Sequence, residues 1–352
     1  MDRHDIPEEI TAAHVAQMHR EDLKIEHLYG CKGMTYWCDE KRRTAFCLIE
    51  APNRKAIQDM HNHAHGDVPH RIIEVESAIV ESFLGRIEDP EKSKKTELNI
   101  INDPAFRILM VINVNRTFFK GFVREQLIED SRECTASIQF LVKRFLGRLV
   151  RQSTYKFLVS FNSVTAAVHC AQALHAKINK SSRPKNGLWP SIGLYAGVPV
   201  TDKDGIFEDT IKKAEYFSNM GSEKIVVSSE VKELYESENQ NNILDIEAMK
   251  ALNTREEGFV IALMDYTGKN WYNADFGAND LSKDLGYSKS QLYRKMISII
   301  GKSPNNFIKE YRLNKAKQLL HKNTKTISEI AYSSGFNSPA YFSKCFMDTF
   351  GI

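Results

Sequence analysis

Read for hydrophobic and polar positions, the first 84 residues predict the order strand, helix, strand, strand, helix, strand. A short strand over 1–5 precedes a helix that Thr11 can cap and that ends near Gly30. Residues 33–38 and 44–51 are strands around the polar turn 39–43. Asn53 caps a second helix to about Ala64, and 71–79 is the last strand. A polar, proline-containing stretch over 88–97 then interrupts the pattern. An unbroken apolar run at 106–114 predicts a buried strand, followed by a helical region to Leu146 and paired strands at 148–152 and 155–161. A helix at 164–178, a strand at 189–197, a helix at 209–220 and a strand at 224–228 complete this part.

Beyond Gly268 the period is helical and one pattern occurs twice. Leu-Ser-Lys-Asp-Leu-Gly-Tyr-Ser-Lys-Ser-Gln-Leu-Tyr-Arg-Lys begins at Leu281, and Ile-Ala-Tyr-Ser-Ser-Gly-Phe-Asn-Ser-Pro-Ala-Tyr-Phe-Ser-Lys begins at Ile330. Gly286 and Gly335 mark the same turn in each copy, and Ser288 follows the first as an N-cap. Leu281, Leu285, Leu292 and Met296 are the apolar positions that would hold the first helix pair together. Each copy reads as a helix-turn-helix, and a long helix from Pro304 to His321 joins them. A plain helical hairpin is the competing reading for one copy; two copies favour DNA. The expected fold class is therefore multidomain α+β: two ferredoxin-like α/β sandwiches followed by an all-α double helix-turn-helix domain. The expected units are 1–84, a linker over 85–104, 105–266 and 268–352.

At 352 residues the chain is long enough for two or three cores. Its net charge of +3 is unevenly placed: residues 268–352 carry +7 and the rest −4. A basic module on a mildly acidic body suits double-stranded DNA as partner. No run approaches the ~18 apolar residues of a membrane helix, and no secretory signal opens the chain. Six cysteines without a CxxC or a disulfide-like framework fit reduced thiols. A cytoplasmic protein that does not engage membranes is expected.

Eight of the eleven histidines lie in the first quarter. His61 and His65 are one helical turn apart, a spacing at which two imidazoles can converge on a divalent metal. Asp2 and His4 share a side of the first strand. Carboxylate with imidazole suits nickel or zinc; solvated surface histidines are the plainer reading.

Three resemblances add to this. Residues 301–320 and 327–346 resemble the bridging segment and second motif of AraC-type transcription regulators, over a match from Asp275 to Gly351. Such domains run on past the final Phe-Gly into a last short helix, so a stop at Gly351-Ile352 leaves the second motif with less support. Met-Asp-Arg-His-Asp at 1–5, Thr-Tyr-Trp-Cys-Asp-Glu from Thr35, Cys-Leu-Ile-Glu-Ala-Pro from Cys47 and His-Asn-His-Ala-His-Gly from His61 together resemble small nickel-binding ferredoxin-like proteins. That family has a few residues before the first of these motifs, so either a short first strand or a misplaced start is expected. The resemblance implies His4, His61 and His65 as ligands, with Asp2 and Asp39 as further candidates. Residues 107–234, with Ser-Ile-Gly-Leu-Tyr-Ala-Gly-Val-Pro-Val from Ser191 and Ile-Phe-Glu-Asp-Thr-Ile-Lys-Lys-Ala from Ile206, resemble a class III nucleotide cyclase. The two metal-binding aspartates of that family fall at Asn113 (or nearby Asn115) and around 153–156, and its transition-state residues near Lys212 and Tyr216. A neutral amide and a lysine cannot replace two metal-binding carboxylates. A cyclase stripped of its chemistry, or a plain ferredoxin-like scaffold, is therefore expected.

On the DNA-binding side, Ser290, Tyr293 and Arg294 point outward from the first recognition helix, and Arg294 could pair with guanine. Ala340, Ser343 and Lys344 take the outward face of the second, which suits readout of shape and phosphate. Lys289 and Ser338 are phosphate candidates. Three functions compete: a transcription regulator sensing a metal or other small effector and acting as a homodimer; a nickel storage or delivery protein; and a cyclase fused to a DNA-binding domain. The first is preferred, with no enzyme activity.

Overall fold

The computed structural model describes residues 1–90, 98–116, 124–153, 155–180, 188–220, 224–239, 247–321 and 325–350. It is a mixed α/β body carrying a helical C-terminal region. The N-terminal layer runs β1 Asp2–Asp5, α1 Ala12–Ile25, a 3-10 turn Glu26–Tyr29, β2 Lys32–Asp39, β3 Thr44–Glu50, α2 Arg54–Ala64 and β4 Arg71–Ile72. Its four-stranded antiparallel sheet has the order β2-β3-β1-β4, which is the split βαβ topology. Tyr36, Cys38, Ala45 and Cys47 face α1, while Trp37, Phe46 and Leu48 face the next layer. That division is the two-residue period of a strand.

The expected strand over 71–79 is much shorter. Only Arg71 and Ile72 pair with β1, and α3 Ser77–Leu84 follows directly. Val80, Phe83 and Leu84 recur at helical spacing and bury one face. The flanks of the expected linker are also packed. Tyr36 Oη donates to Asn99 O at 2.6 Å and accepts from Ile101 N at 2.8 Å, and Ile101 is buried. Residues 91–97 of that linker lie outside the described residues.

The second sheet is built from β5 Arg107–Arg116, α4 Arg124–Arg144, β6 Arg148–Gln152, β7 Lys156–Phe161, α5 Val164–Lys180, β8 Leu188–Gly197, α6 Glu208–Ser218, β9 Ile225–Val227, α7 Ser229–Glu238 and β10 Met249–Ala251. Its order is β10-β9-β8-β5-β7-β6, with β8, β5, β7 and β6 again in the split βαβ arrangement and β9 and β10 added in parallel beyond β8. The unbroken apolar run in β5 serves two cores at once. Ile108, Met110 and Ile112 pack towards α4 and α5, whereas Leu109 and Val111 pack towards α3 and the N-terminal sheet. Arg107 is almost fully buried in that interface and donates to the carbonyls of Phe83 (3.3 Å) and Leu84 (3.0 Å), the end of α3. Burial draws its guanidinium down to about 10, and carbonyl oxygens hold it in place of a carboxylate.

The helical region comprises α8 Thr254–Asn270, α9 Ala278–Asp284, α10 Lys289–Ile300, α11 Pro304–His321, α12 Ile327–Ser333 and α13 Pro339–Phe350. Helix α8 opens on a capping box between Asn253 and Glu256 and runs straight across the expected boundary at 266–268. Gly286 and Gly335 are left-handed at φ +70° and +75°, as both tight turns require. No helix among the described residues is long and apolar enough to cross a membrane.

Candidate functional site

Two places carry chemistry. The first lies between α1, α2 and the strands β1 and β3. His61 and His65, one turn apart at the end of α2, meet Asp22 from α1. Three contacts of 3.2 Å close a triangle: His61 Nδ1 to Asp22 Oδ1, His65 Nε2 to Asp22 Oδ1, and His61 Nδ1 to His65 Nε2. Donors about 2.0–2.1 Å from a common ion stand about 2.9 Å apart in octahedral and about 3.4 Å apart in tetrahedral sets, so the spacing fits a divalent metal. The other edge of His61, Nε2, lies 3.2 Å from Asp2 Oδ2, the carboxylate–imidazole contact that orients a ligating ring. Asp2 also accepts from Cys47 N at 2.9 Å.

A second donor group, Asp2, His4 and Cys47, adjoins the first. His4 Nδ1 sits 2.9 Å from Asp67 Oδ2, which turns the buried Nε2 inward without a hydrogen-bond partner. A cavity of about 20 Å³ lies among these side chains, close to the volume of one water-sized sphere. Burial disfavours a charged His61, but hydrogen bonds to Asp2 and Asp22 outweigh it and push the imidazole up to about 10. Asp22 is held below the usual carboxylate range: burial works against its charge, and His61 and His65 overcome it. The buried Cys47 thiol is raised well above its ordinary value by desolvation and by the Asp2 charge. In this arrangement a proton on His61 offsets part of the charge of Asp2 and Asp22 and occupies the Nδ1 that would face a cation, so metal uptake would release it. His65 Nδ1 accepts from Asp67 N at 3.2 Å, a bond that ligation of a metal through Nε2, which needs the proton on Nδ1, would give up.

The sequence-derived set is thus partly assembled. His61 and His65 converge, with Asp2 behind them and His4 alongside. Asp39 is a correction: it accepts from Arg42 at both the backbone (3.0 Å) and the guanidinium (3.2 Å), closing its own turn outside either donor group. Asp22 was missed. Its signal was a carboxylate three residues after His19 on the buried stripe of α1 with Val15 and Ala16, where an apolar residue belongs. The histidine count over-reads the site, because His14 serves the α1 capping box and His63 bonds Tyr29 Oη at 2.9 Å.

The second place is the pair of helices α10 and α13. Ser288 and Gln291 form a capping box at the start of α10, and Ser338 accepts from Tyr341 N at 3.3 Å at the start of α13. Leu292 and Met296 are buried, leaving Lys289, Ser290, Tyr293 and Arg294 exposed along one side. Arg294 lies along its own helix, Nε 3.4 Å from Ser290 O. On α13, Ala340 and Lys344 are exposed and Ser343 is half-buried. Tyr341, next to Ala340, is 56% exposed, its ring tilted towards Phe336. Arg312 of α11 links the two halves by donating to Trp271 O (2.9 Å), Asn273 O (2.6 Å) and Phe276 O (3.0 Å).

At the position that resembles the cyclase metal site, Asn113 donates to Ser218 Oγ (2.8 Å) and Asn219 Oδ1 (2.9 Å). Lys156 pairs with Glu215 at 2.5 Å. Lys212 and Tyr216 both turn to Asp265 of α8, at 2.7 and 2.5 Å.

The fold and these surfaces define a paired helix-turn-helix domain on a two-sheet α/β body. Comparison with known proteins agrees at both ends of the chain. Residues 281–352 match the family described as "Helix-turn-helix domain", and residues 1–75 match "Nickel responsive protein SCO4226-like". Among curated proteins, "Histidine kinase P4" of Formosa agariphila is 44% identical over 81 residues, 23% of this chain and 6% of that protein. The "Msm operon regulatory protein" of Streptococcus mutans is 38% identical over 84 residues, 23% of this chain and 29% of that protein. The chain therefore spans less than a third of the length of either relative. Among solved structures, an adenylate/guanylate cyclase/hydrolase from Silicibacter pomeroyi is similar at 17% identity and TM-score 0.31, covering 39% of this chain and 82% of that one.

Proposed function

We propose that the protein is a sequence-specific DNA-binding transcription regulator in the cytoplasm, and that its N-terminal layer senses a divalent metal, nickel being the first candidate. The observation that carries the DNA reading is the twofold helix-turn-helix, each copy with an exposed polar face on its second helix and the pair bridged by α11. Helix α11 has 18 residues, about 27 Å of helix. Recognition helices joined so would enter successive turns of the major groove. Arg294, Tyr293 and Ser290 would read base edges, while Lys289, Ser338 and Lys344 would hold phosphates and Ala340 and Ser343 would meet the groove floor. The three mutual 3.2 Å contacts of Asp22, His61 and His65 support the metal reading. These three would hold the ion, with Asp2 orienting His61 and with His4 and Cys47 available beside them. The ion would supply positive charge where a proton on His61 now does.

The domain arrangement belongs to the proposal as well: two ferredoxin-like sandwiches, the second cyclase-like and without cyclase activity. Asn113 and Lys156 are engaged with α6 at the positions where metal-binding carboxylates would be needed. The homodimer is also part of this reading. Phe140 and Leu146 stand 61% and 86% exposed near the edge strand β6, a place for a second copy.

A metal regulates only if it prefers one DNA-binding state. The test is therefore DNA affinity of the full chain, with and without nickel, zinc, ATP and GTP, on duplexes selected from a random library. Selection of a defined sequence with metal-dependent affinity is expected. Tight nickel binding that leaves DNA affinity unchanged would favour storage or delivery instead, and cyclic nucleotide formed from ATP or GTP would favour the enzyme.

A further inference from the structure

The two helix-turn-helix motifs do not share a core. In the second motif, Ile330, Phe336, Phe342 and Phe346 pack on Leu313 and Ala316 of α11. In the first, Leu292, Met296 and Ile299 belong to a cluster that continues through Phe259 and Leu263 of α8 into Phe217 of α6 and Val226 of β9. That cluster also takes in Phe307 and Ile308 of α11, so the first motif is built onto both the bridging helix and the six-stranded sheet, whereas the core of the second is built onto the bridging helix.

Polar ties to the sheet are more direct for the first motif; the second meets it through Lys317 of α11, whose Nζ lies 5.5 Å from the Tyr155 ring and 5.1 Å from the Phe350 ring. Helix α10 ends at Gly301, whose N–H returns to Met296 O and Ile297 O in a left-handed cap. The carbonyls of Ser298 and Ile299 lie in that last turn, where helical N–H partners run out. Lys250, on the edge strand β10, reaches both: Nζ donates to Ser298 O at 3.1 Å and Ile299 O at 2.6 Å. An ammonium at a helix C-terminus satisfies these acceptors and complements the helix dipole. Further along α10, Lys295 stands 5.1 Å from the Phe259 ring and 5.4 Å from the Tyr287 ring. Along α8, Asp265 receives Lys212 and Tyr216 of α6. The polar positions of the cyclase-like fold that would face a triphosphate hold the helix leading into the DNA-binding region.

We infer that the six-stranded sheet sets the position of the first recognition helix directly, through Lys250, a positioning residue, whereas it reaches the second motif through the bridging helix. The inference rests on the DNA-binding reading. It assigns a division of labour: sequence discrimination by α10 is directly subject to whatever moves the sheet, while α13 follows only through α11. A change in the upstream layers would reach one half of the operator first.

The test uses the full chain, a duplex that the wild type selects from a random library, and a random duplex. Half-sites are assigned by the footprint that Arg294→Ala weakens. Lys250→Met is expected to lose about five- to tenfold affinity on the selected duplex, confined to the α10 half-site, with binding to the random duplex unchanged. Lys250→Arg is expected to restore it. A direct phosphate contact would give a different result: equal losses on both duplexes and a salt slope lower by about one. That result, or a loss shared by both half-sites, would overturn the inference. Amide exchange gives a readout that needs no DNA. Lys250→Met should speed exchange over residues 297–301 and leave 342–350 unchanged, and equal behaviour of the two segments would refute the assignment. If the wild type selects no duplex, the DNA reading fails, and the exchange experiment alone decides whether Lys250 positions α10.

Discussion

Gly286 and Gly335 occupy the same place in the two motifs with nearly the same backbone, φ +70° and +75°, but different surroundings. A Cβ at Gly286 would meet nothing within 4 Å. At Gly335 it would lie 2.6 Å from Trp271 O and 2.8 Å from Arg312 Nε. The left-handed conformation costs an L-residue about 1–2 kcal/mol. Gly286→Ala should therefore cost about 1–2 kcal/mol. Gly335→Ala carries that same cost and also pushes apart the Arg312–Trp271 bond, one of three that join α11 to the entry of the first motif. Losing a hydrogen bond to a charged group costs about 1.5–3 kcal/mol, so the total should reach about 3–5 kcal/mol. Unfolding of a chain with several cores is not two-state, so the appropriate assay is native-state hydrogen exchange, read separately over residues 281–300 and 327–350. Gly335→Ala should raise exchange in the second segment far more than Gly286→Ala raises it in the first. Equal effects would refute the claim that close packing, and not conformation alone, fixes the second turn.

Arg294→Ala should weaken binding to a selected duplex by about 1–3 kcal/mol and leave random DNA nearly unaffected; equal losses in a fluorescence-anisotropy titration would remove Arg294 from base readout. Asp22→Asn should lower nickel affinity roughly 10- to 100-fold by calorimetry, while Asp39→Asn should not change it, since Asp39 serves the Arg42 turn. Nickel binding insensitive to Asp22 would place the ion elsewhere. Arg107→Met should destabilise the surroundings of α3 by about 3–5 kcal/mol, because the carbonyls of Phe83 and Leu84 lose a buried donor; a change under 1 kcal/mol in native-state hydrogen exchange over residues 77–84 would show that water replaces it.

Period and capping made most elements readable from the chain. The polar turn 39–43 set β2 apart from β3, and the apolar run identified β5. Asn53, Ser288 and Thr326 cap helices where short polar residues precede a periodic stretch. The reading failed where local pattern is ambiguous. Residues 71–79 contain apolar pairs that suit a strand or a helix, and burial of Val80, Phe83 and Leu84 between two sheets decided for α3. The expected boundary at 266–268 falls inside α8, whose core residues Val260, Leu263 and Met264 share a cluster with the first motif. In the metal centre, His61 and His65 were legible because they lie four residues apart on one helix. Asp22 was not, because its partnership with them exists only across the α1–α2 contact.

The chain by itself determined what is local: the twin turns at Gly286 and Gly335, the exposed polar faces of α10 and α13, the His61–His65 pair and the lack of carboxylates at Asn113 and Lys156. These follow from backbone sterics, from the 3.6-residue period and from side-chain chemistry, none of which needs a distant partner. Tertiary structure alone decided which residues far apart in the chain meet. It brought Asp22 to two histidines, turned Lys212 and Tyr216 towards Asp265, and set Lys250 on the last turn of α10. Each of those is a polar contact across an apolar interface. The burial of the surrounding side chains fixed the approach, and the polar atoms had to be satisfied where it left them.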